Sequence, residues 1–271
     1  GRLLMKLSAV DHHLFDMVNH LNICRSYLEN EEQLALVEWN VRAGEQAKES
    51  AAFKESLDYF QTAYEMFGAR WDTHYSLTKQ LMTGLGECCY LNSRFEEAEW
   101  TLNQVLENVR TNHEKLSIYN LKVVLYTHVH RVGEAVQSGI AGLRLFGWKI
   151  HRKPSKALIA LEILQAKIAL RKKNTKDLLK LPALEDQEKI LLLNTMITMN
   201  APAFHVDQNL ATILMVRALR FSLKHGMTDI TSLVFNNYAL ILSAGFNDFH
   251  KSYEFGKLAI EVAEKSGNIG L

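Results

Sequence analysis

The sequence predicts an all-α protein, a right-handed α-solenoid of antiparallel helix pairs. Only 3 of its 271 residues are proline, which breaks helix interiors. Apolar residues recur at three- and four-residue steps, as in Leu14, Met17, Val18 and Leu21. One pattern of aromatic and small residues also returns several times along the chain. Such self-similarity is typical of repeat architectures, and we expect about twelve helices.

Composition limits the classes of function. Hydrophobic residues make up 48% and charged residues 23% of the chain, ordinary values for a soluble protein with a large core. The net charge of +1 gives no overall attraction to nucleic acid or to a membrane surface. No apolar stretch reaches the roughly 18 residues that a membrane helix needs. We therefore predict neither a nucleic-acid partner nor membrane insertion.

The cysteines and the chain ends suggest where the segment belongs. Cys24, Cys88 and Cys89 form an odd set without disulfide spacing, which favours a reducing cytoplasm. The sequence begins within a helical pattern and stops at Gly270-Leu271 without a closing element. We interpret it as a cytoplasmic fragment of a longer protein.

Four segments carry the repeated pattern: an aromatic or apolar residue, a small residue three positions later, and apolar or small residues at seven and ten. The members are Phe53, Ser56, Phe60, Ala63; Phe95, Ala98, Leu102, Val105; Val132, Ala135, Gly139, Gly142; and Phe249, Ser252, Gly256, Ala259. We expect the first residue to fill the gap between paired helices and the small residue to let the partner backbone approach. Gly44 and Gly86 lie nine positions before Phe53 and Phe95. This pattern resembles the second helix of a tetratricopeptide repeat.

The pattern divides the chain into three parts. Residues 1–145 and 206–271 are predicted to be tetratricopeptide-like repeats, and 146–205 a less regular helical segment of the same array. Within and after that segment, we predict helices at 156–171, 174–180, 185–200 and 207–225. The last two are expected to form a pair.

Several stretches together resemble the helical region of large bacterial signalling proteins. They are Phe15-Asp-Met-Val-Asn-His-Leu-Asn, Ala43-Gly-Glu-Gln-Ala-Lys, Glu96-Glu-Ala-Glu, Leu178-Leu-Lys-Leu-Pro, Ala201-Pro-Ala-Phe and Tyr253-Glu-Phe-Gly-Lys-Leu-Ala. Those proteins join a Ser/Thr-kinase-like domain, a STAND-type (AAA-like) ATPase, this helical array, a GAF sensor and often a histidine kinase. The resemblance implies a non-catalytic module without a cofactor that binds a protein or peptide and controls the flanking ATPase and kinase domains. The alternative is a free-standing adaptor or peptide receptor acting in trans.

Three patterns invite a chemical interpretation. Asp16, His20 and Cys24 lie at i, i+4 and i+8, so a helix places them on one face, and a helical metal-dependent enzyme is a third hypothesis. Zinc, however, takes ligands from more than one element, which favours ordinary helix packing. Gly84-Leu-Gly86 lacks the lysine of a phosphate-binding loop, and Cys88-Cys89 lies in a core pattern. We expect both to serve packing.

Two surfaces are candidates for partner binding. Six residues on the first helices of the pairs are expected to line the concave face, where they either bind a peptide or only solvate the surface: Lys48, Glu87, Tyr90, Asn120, His128 and Asn237. Residues 144–180 contain eleven basic and two acidic side chains. This basic patch, represented by Lys149, Arg152, Lys153, Arg171, Lys172 and Lys173, is either a solvated surface or an attractor for an acidic protein, a phosphorylated segment or nucleic acid.

Overall fold

The structure, a computed structural model, describes residues 13–171 and 173–266. Over those residues the chain is helical, and its only β-type pairing is an isolated parallel bridge between Ala183 and Met227. The contacts divide the chain into two compact units, one ending at Arg110 and the other beginning at Thr111. The predicted all-α class is confirmed.

The first unit contains five described α-helices and one short 3-10 helix. They are α1 (Leu14–Ile23), the 3-10 helix (Arg25–Tyr27), α2 (Asn30–Glu49), α3 (Phe53–Phe67), α4 (Tyr75–Leu91) and α5 (Phe95–Asn108). Packing is closest between helices that follow each other in the sequence, α2 with α3 and α4 with α5. Because very short turns join these partners, each pair runs antiparallel.

The second unit contains nine described α-helices. Its helices are α6 (Asn112–His128), α7 (Val132–Arg144), α8 (Lys156–Leu170), α9 (Thr175–Leu178), α10 (Gln187–Thr198), α11 (Asn200–Val206), α12 (Gln208–His225), α13 (Thr231–Phe246) and α14 (Phe249–Ser266). Helices α6 and α7 form one pair, and α13 and α14 another. Side-chain caps fix several helix starts, among them the Thr111 hydroxyl, which accepts a hydrogen bond from the Glu114 amide at 3.1 Å.

The predicted repeats share one backbone feature. Ala51, Ser93, His130 and Asn247 have φ values of 58°, 61°, 59° and 53°, the left-handed region that residues other than glycine rarely adopt. Each lies two positions before the first residue of a predicted repeat. In the first three turns the amide three residues after the helix end bonds back across the turn, as Ala52 N does to Ala47 O at 2.9 Å. The same turn therefore closes three helix pairs.

The packing between paired helices differs from the sequence prediction. A Cβ on Gly44 would lie 2.7 Å from Phe60 Cε2, and one on Gly84 would lie 2.3 Å from Phe60 Cζ. Phe60, seven positions after Phe53, therefore fills the space that the glycines open, whereas Phe53 is only partly buried. For the first pattern, the prediction that its first residue fills this gap was wrong. The small residue three positions after Phe53 does meet the partner backbone, because the buried Ser56 hydroxyl donates a hydrogen bond to Gly44 O at 2.6 Å.

The segment 146–205 is helical, but its helices pack on distant parts of the sequence. Helix α8 lies against α12, α10 against α6, and α11 against α7. The predicted helices 156–171 and 207–225 correspond to α8 and α12, and 185–200 to α10. The structure adds α11 between the predicted helices 185–200 and 207–225. The predicted pair is therefore α10 and α12 with a short helix between them.

Candidate binding surfaces

The candidates in the first unit include a three-residue ion cluster. Lys48 on α2 donates to Glu45 Oε2 at 2.7 Å and to Glu87 Oε2 on α4 at 2.8 Å. Burial lowers the pKa of Lys48, but the hydrogen bonds to the two carboxylates outweigh it, so the pKa is raised. Tyr90 is half-buried, with its ring 6.4 Å from that of Phe95. The structure thus brings Lys48 and Glu87 together and satisfies their charges internally.

The candidates in the second unit are dispersed over different helices. Asn120 Oδ1 on α6 is buried and accepts no hydrogen bond from the described residues. His128 is exposed, and its Nδ1 lies 3.0 Å from Val124 O. Asn237 Oδ1 accepts a hydrogen bond from Asn200 Nδ2 at 3.1 Å, which ties α13 to α11. A role of the six concave-face candidates in partner binding stays a prediction.

The basic patch is exposed wherever the structure describes it. Lys149, Arg152, Lys153, Arg171 and Lys173 all have exposed side chains. Lys172 lies outside the described residues. The patch therefore presents positive charge along the loop before α8 and around the end of that helix.

A buried ion pair, which the sequence analysis missed, anchors α8. Glu162 Oε1 accepts from Arg217 Nη2 at 2.6 Å, and Glu162 Oε2 accepts from Arg220 Nη1 at 2.7 Å. Arg217 also donates to the carbonyl of Lys149 at 2.8 Å. Glu162 is one of only two acids in the basic stretch, and both its oxygens are bound to α12. Its charge is therefore not available to neutralise the exposed patch.

This anchor determines which face of α8 stays open. Glu162 and Ala166 are the buried residues of the helix, one turn apart and toward α12. Leu161, Leu164 and Ile168, at i, i+3 and i+7, form a stripe on another face, with 50%, 54% and 62% of their surface exposed. We call these three residues the α8 stripe. An apolar helix face left open in this way is typical of a protein-binding surface.

The surroundings of the α8 stripe are apolar and basic. A groove of about 530 Å³ beside it is lined by Ile159, Ile163, Leu164 and Phe246, with Lys156 and Lys167 among the other lining residues. The sequence carried the signal for this surface, because Lys156-Ala-Leu-Ile-Ala-Leu-Glu-Ile-Leu-Gln-Ala-Lys-Ile-Ala-Leu is apolar on every helix face. A helix that is hydrophobic all round is expected to be covered on all sides.

The chemical alternatives find little support in the geometry. Cys24 Sγ donates to His20 O at 3.4 Å and Leu21 O at 3.6 Å, so the thiol bonds within its own helix. Among the described residues, no three His, Cys, Asp or Glu side chains come close enough together to hold a metal ion. Burial raises the pKa of Cys88 and brings the pKa of Cys89 to about 11. Gly84 lies inside α4 against Phe60, as the packing interpretation predicted.

Within residues 13–171 and 173–266, no helix has the length and apolar character required to cross a membrane.

Comparison with known proteins yields one distant relative in Dictyostelium discoideum, a hybrid signal transduction histidine kinase named histidine kinase G. It is 20% identical to this chain over 285 residues, an alignment that covers 93% of the chain. The chain spans only 8% of the length of that relative. No protein-family model and no solved structure matches.

Proposed function

We propose that this chain is a non-catalytic helical-repeat module of a signalling protein, which binds a protein segment and controls flanking ATPase and kinase domains from the cytoplasm. Similarity to a small part of a hybrid signal transduction histidine kinase supports the signalling context. The observation that carries the proposal is the α8 stripe. An open apolar surface of this kind serves binding without any catalytic group.

The magnitude of the exposed surface favours a bound partner. Burying a whole Leu or Ile side chain contributes about 1.5–3 kcal/mol, and the three stripe residues are each about half exposed. Covering the stripe is therefore worth about 3 kcal/mol before the cost of association. A partner helix that inserts its own apolar face gains a similar amount.

The charges around the stripe specify the partner. Lys156 and Lys167 lie beside the groove, and Arg171 follows the end of α8. The nearest acid on the helix, Glu162, is already bound to two arginines. The surface thus fits an amphipathic helix with an acidic rim, which docks its apolar residues on the stripe and its carboxylates on the lysines.

We also propose that the helix pairs are tetratricopeptide-like and wind right-handedly. The shared left-handed turn before each pattern and the small residues between paired helices support this assignment. A crystal structure of the native gene product tests the handedness, and a left-handed or unwound array would refute it.

The test uses the native gene product, in which ATPase activity and kinase autophosphorylation are measured. Leu161→Ser, Leu164→Ser and Ile168→Ser are combined in one variant. Ile260→Ser, at an equally exposed residue on α14, is the matched control. We expect the triple variant to change the regulation of at least one activity several-fold and the control to leave both unchanged. Equal behaviour of the two variants would show that the stripe does not regulate them.

A native product without ATPase or kinase segments contradicts control in cis. The same variants then test the alternative, an adaptor that binds its partner in trans.

A further inference from the structure

A second feature of this unit is a cavity of about 460 Å³ formed by the end of α8, by α9 and by α13 and α14. Its apolar wall includes Leu242, Phe246 and Phe255. Small-molecule sites commonly have volumes of about 300–1,000 Å³ and apolar walls with a few polar groups. The cavity therefore has the size and lining of a ligand site.

The charges on the cavity wall are unbalanced. Lys167, Arg171 and Lys173 line one side, and no carboxylate among the described residues forms an ion pair with any of them. Lys167 Nζ instead lies 4.2 Å from the centre of the Phe246 ring, a cation–π contact that holds the ammonium at the wall.

The acidic residues on the rest of the wall reduce the positive charge of the cavity only slightly. Asp248 is bonded to Lys251 Nζ at 3.0 Å, so these two charges compensate each other. Glu254 is then the remaining acid among the described residues that line the cavity with the three cations. The net positive charge attracts an anion into a largely apolar space.

Tyr238 supplies a hydrogen-bond donor at the cavity wall. Its side chain lines the cavity with only 3% of the residue surface exposed, and its hydroxyl makes no hydrogen bond with any described residue. The hydroxyl is not among the fully buried polar atoms of the described residues, so it is open to a ligand in the cavity. The Tyr238 ring is held edge-on by Phe255 at 4.9 Å. Burial, aided by Asp248, raises the pKa of Tyr238, so the phenol keeps its proton and can donate it in a hydrogen bond.

We propose that this cavity binds a small organic anion with an aromatic or aliphatic body. The body packs against Phe246 and Phe255, and the acid group is bound by Lys167, Arg171 and the Tyr238 hydroxyl. The module then has a small-molecule site that shares Lys167 and Phe246 with the groove beside the α8 stripe, while Arg171, Tyr238 and Phe255 line the cavity alone.

The probe for this site is naphthoate, with naphthamide as its uncharged counterpart, and binding to the full chain is measured by isothermal titration calorimetry. We expect one naphthoate per chain, with a Kd below about 1 mM for a ligand of this size, and binding of naphthamide at least about tenfold weaker. Arg171→Gln should weaken naphthoate binding about tenfold and Tyr238→Phe about fivefold, since each removes one bond to the anion. Lys149→Gln, an exposed base of the same stretch outside the cavity, should bind as the unaltered chain does.

The proposal would be overturned by no saturable binding at millimolar naphthoate, by equal binding of naphthamide, or by unchanged binding in the Arg171→Gln and Tyr238→Phe variants with unaltered circular dichroism. Loss of binding in Leu164→Ser but not in Arg171→Gln would place the probe on the stripe and equally refute the cavity site. Kinase regulation is measured separately, so failure of this site leaves the proposed function open to its own test.

Discussion

Substitution of Gly84 by alanine gives a quantitative test of the packing inside the first unit. The added Cβ would lie 2.3 Å from Phe60 Cζ and 2.4 Å from Phe60 Cε1, well inside van der Waals contact. The Phe60 ring is fully buried and is bounded on another side by Gly44. The ring is therefore enclosed on two sides, and the added methyl group must displace the ring or the helix that carries it.

The expected free-energy change follows from two opposing effects. Overpacking of a closed core costs about 3 kcal/mol at the upper end of its usual range, while alanine is favoured over glycine in a helix by about 1 kcal/mol. Gly84→Ala should thus lower the free energy of unfolding by about 2 kcal/mol. Gly256→Ala on α14 is the control, because its Cβ meets nothing within 4 Å, and it should raise stability by up to about 1 kcal/mol.

Urea unfolding followed by far-ultraviolet circular dichroism measures both variants, with the slope against urea checked for constancy. Combining Gly84→Ala with Phe60→Leu should recover part of the loss, because the smaller side chain frees space at the same contact. A Gly84→Ala protein as stable as the Gly256→Ala protein would refute the assignment of Phe60 to the gap between these helices.

Three further predictions concern other parts of the chain. Ser93→Gly should stabilise the protein by about 1 kcal/mol, since glycine adopts the left-handed conformation without strain, and an unchanged or lower melting temperature would contradict this. Glu162→Ala should lower the free energy of unfolding by about 3 kcal/mol, because it leaves Arg217 without its buried carboxylate. A decrease under about 1 kcal/mol in urea unfolding would contradict the role of this ion pair in holding α8 on α12. In the folded protein, Cys89 should react with iodoacetamide far more slowly than Cys24. Its burial and its pKa of about 11 keep the thiol protonated until the solution is strongly alkaline, and equal labelling by mass spectrometry at mildly alkaline pH would count against the buried position.

Local features of the fold could be predicted from the sequence. Helix α8 begins at Lys156, where the prediction placed it, because Ser155 caps its first turn. Pro202 hid helix α11, since proline normally signals a break, although the first turn of a helix tolerates it. Phe60 rather than Phe53 fills the gap because Gly44 and Gly84 both face the Phe60 ring. Residue spacing alone does not predict this orientation.

The candidate surfaces were also predictable only in part. The apolar character of α8 was present in the sequence, but its open face depends on Glu162 meeting Arg217 and Arg220, which are 55 and 58 positions away. Such distant pairs leave no periodic signal. The cavity beside Tyr238 likewise depends on α8 and α9 meeting α13 and α14, which lie far apart in the sequence.

The docking of an acidic helix on the α8 stripe is tested most directly by photo-crosslinking in the native gene product. Benzoylphenylalanine replaces Leu164 in one sample and Ile260 in the other, and mass spectrometry identifies the linked peptides. We predict that position 164 links to one acidic amphipathic helical segment, which position 260 does not reach. No crosslink at position 164, or the same peptides from both positions, would contradict the account.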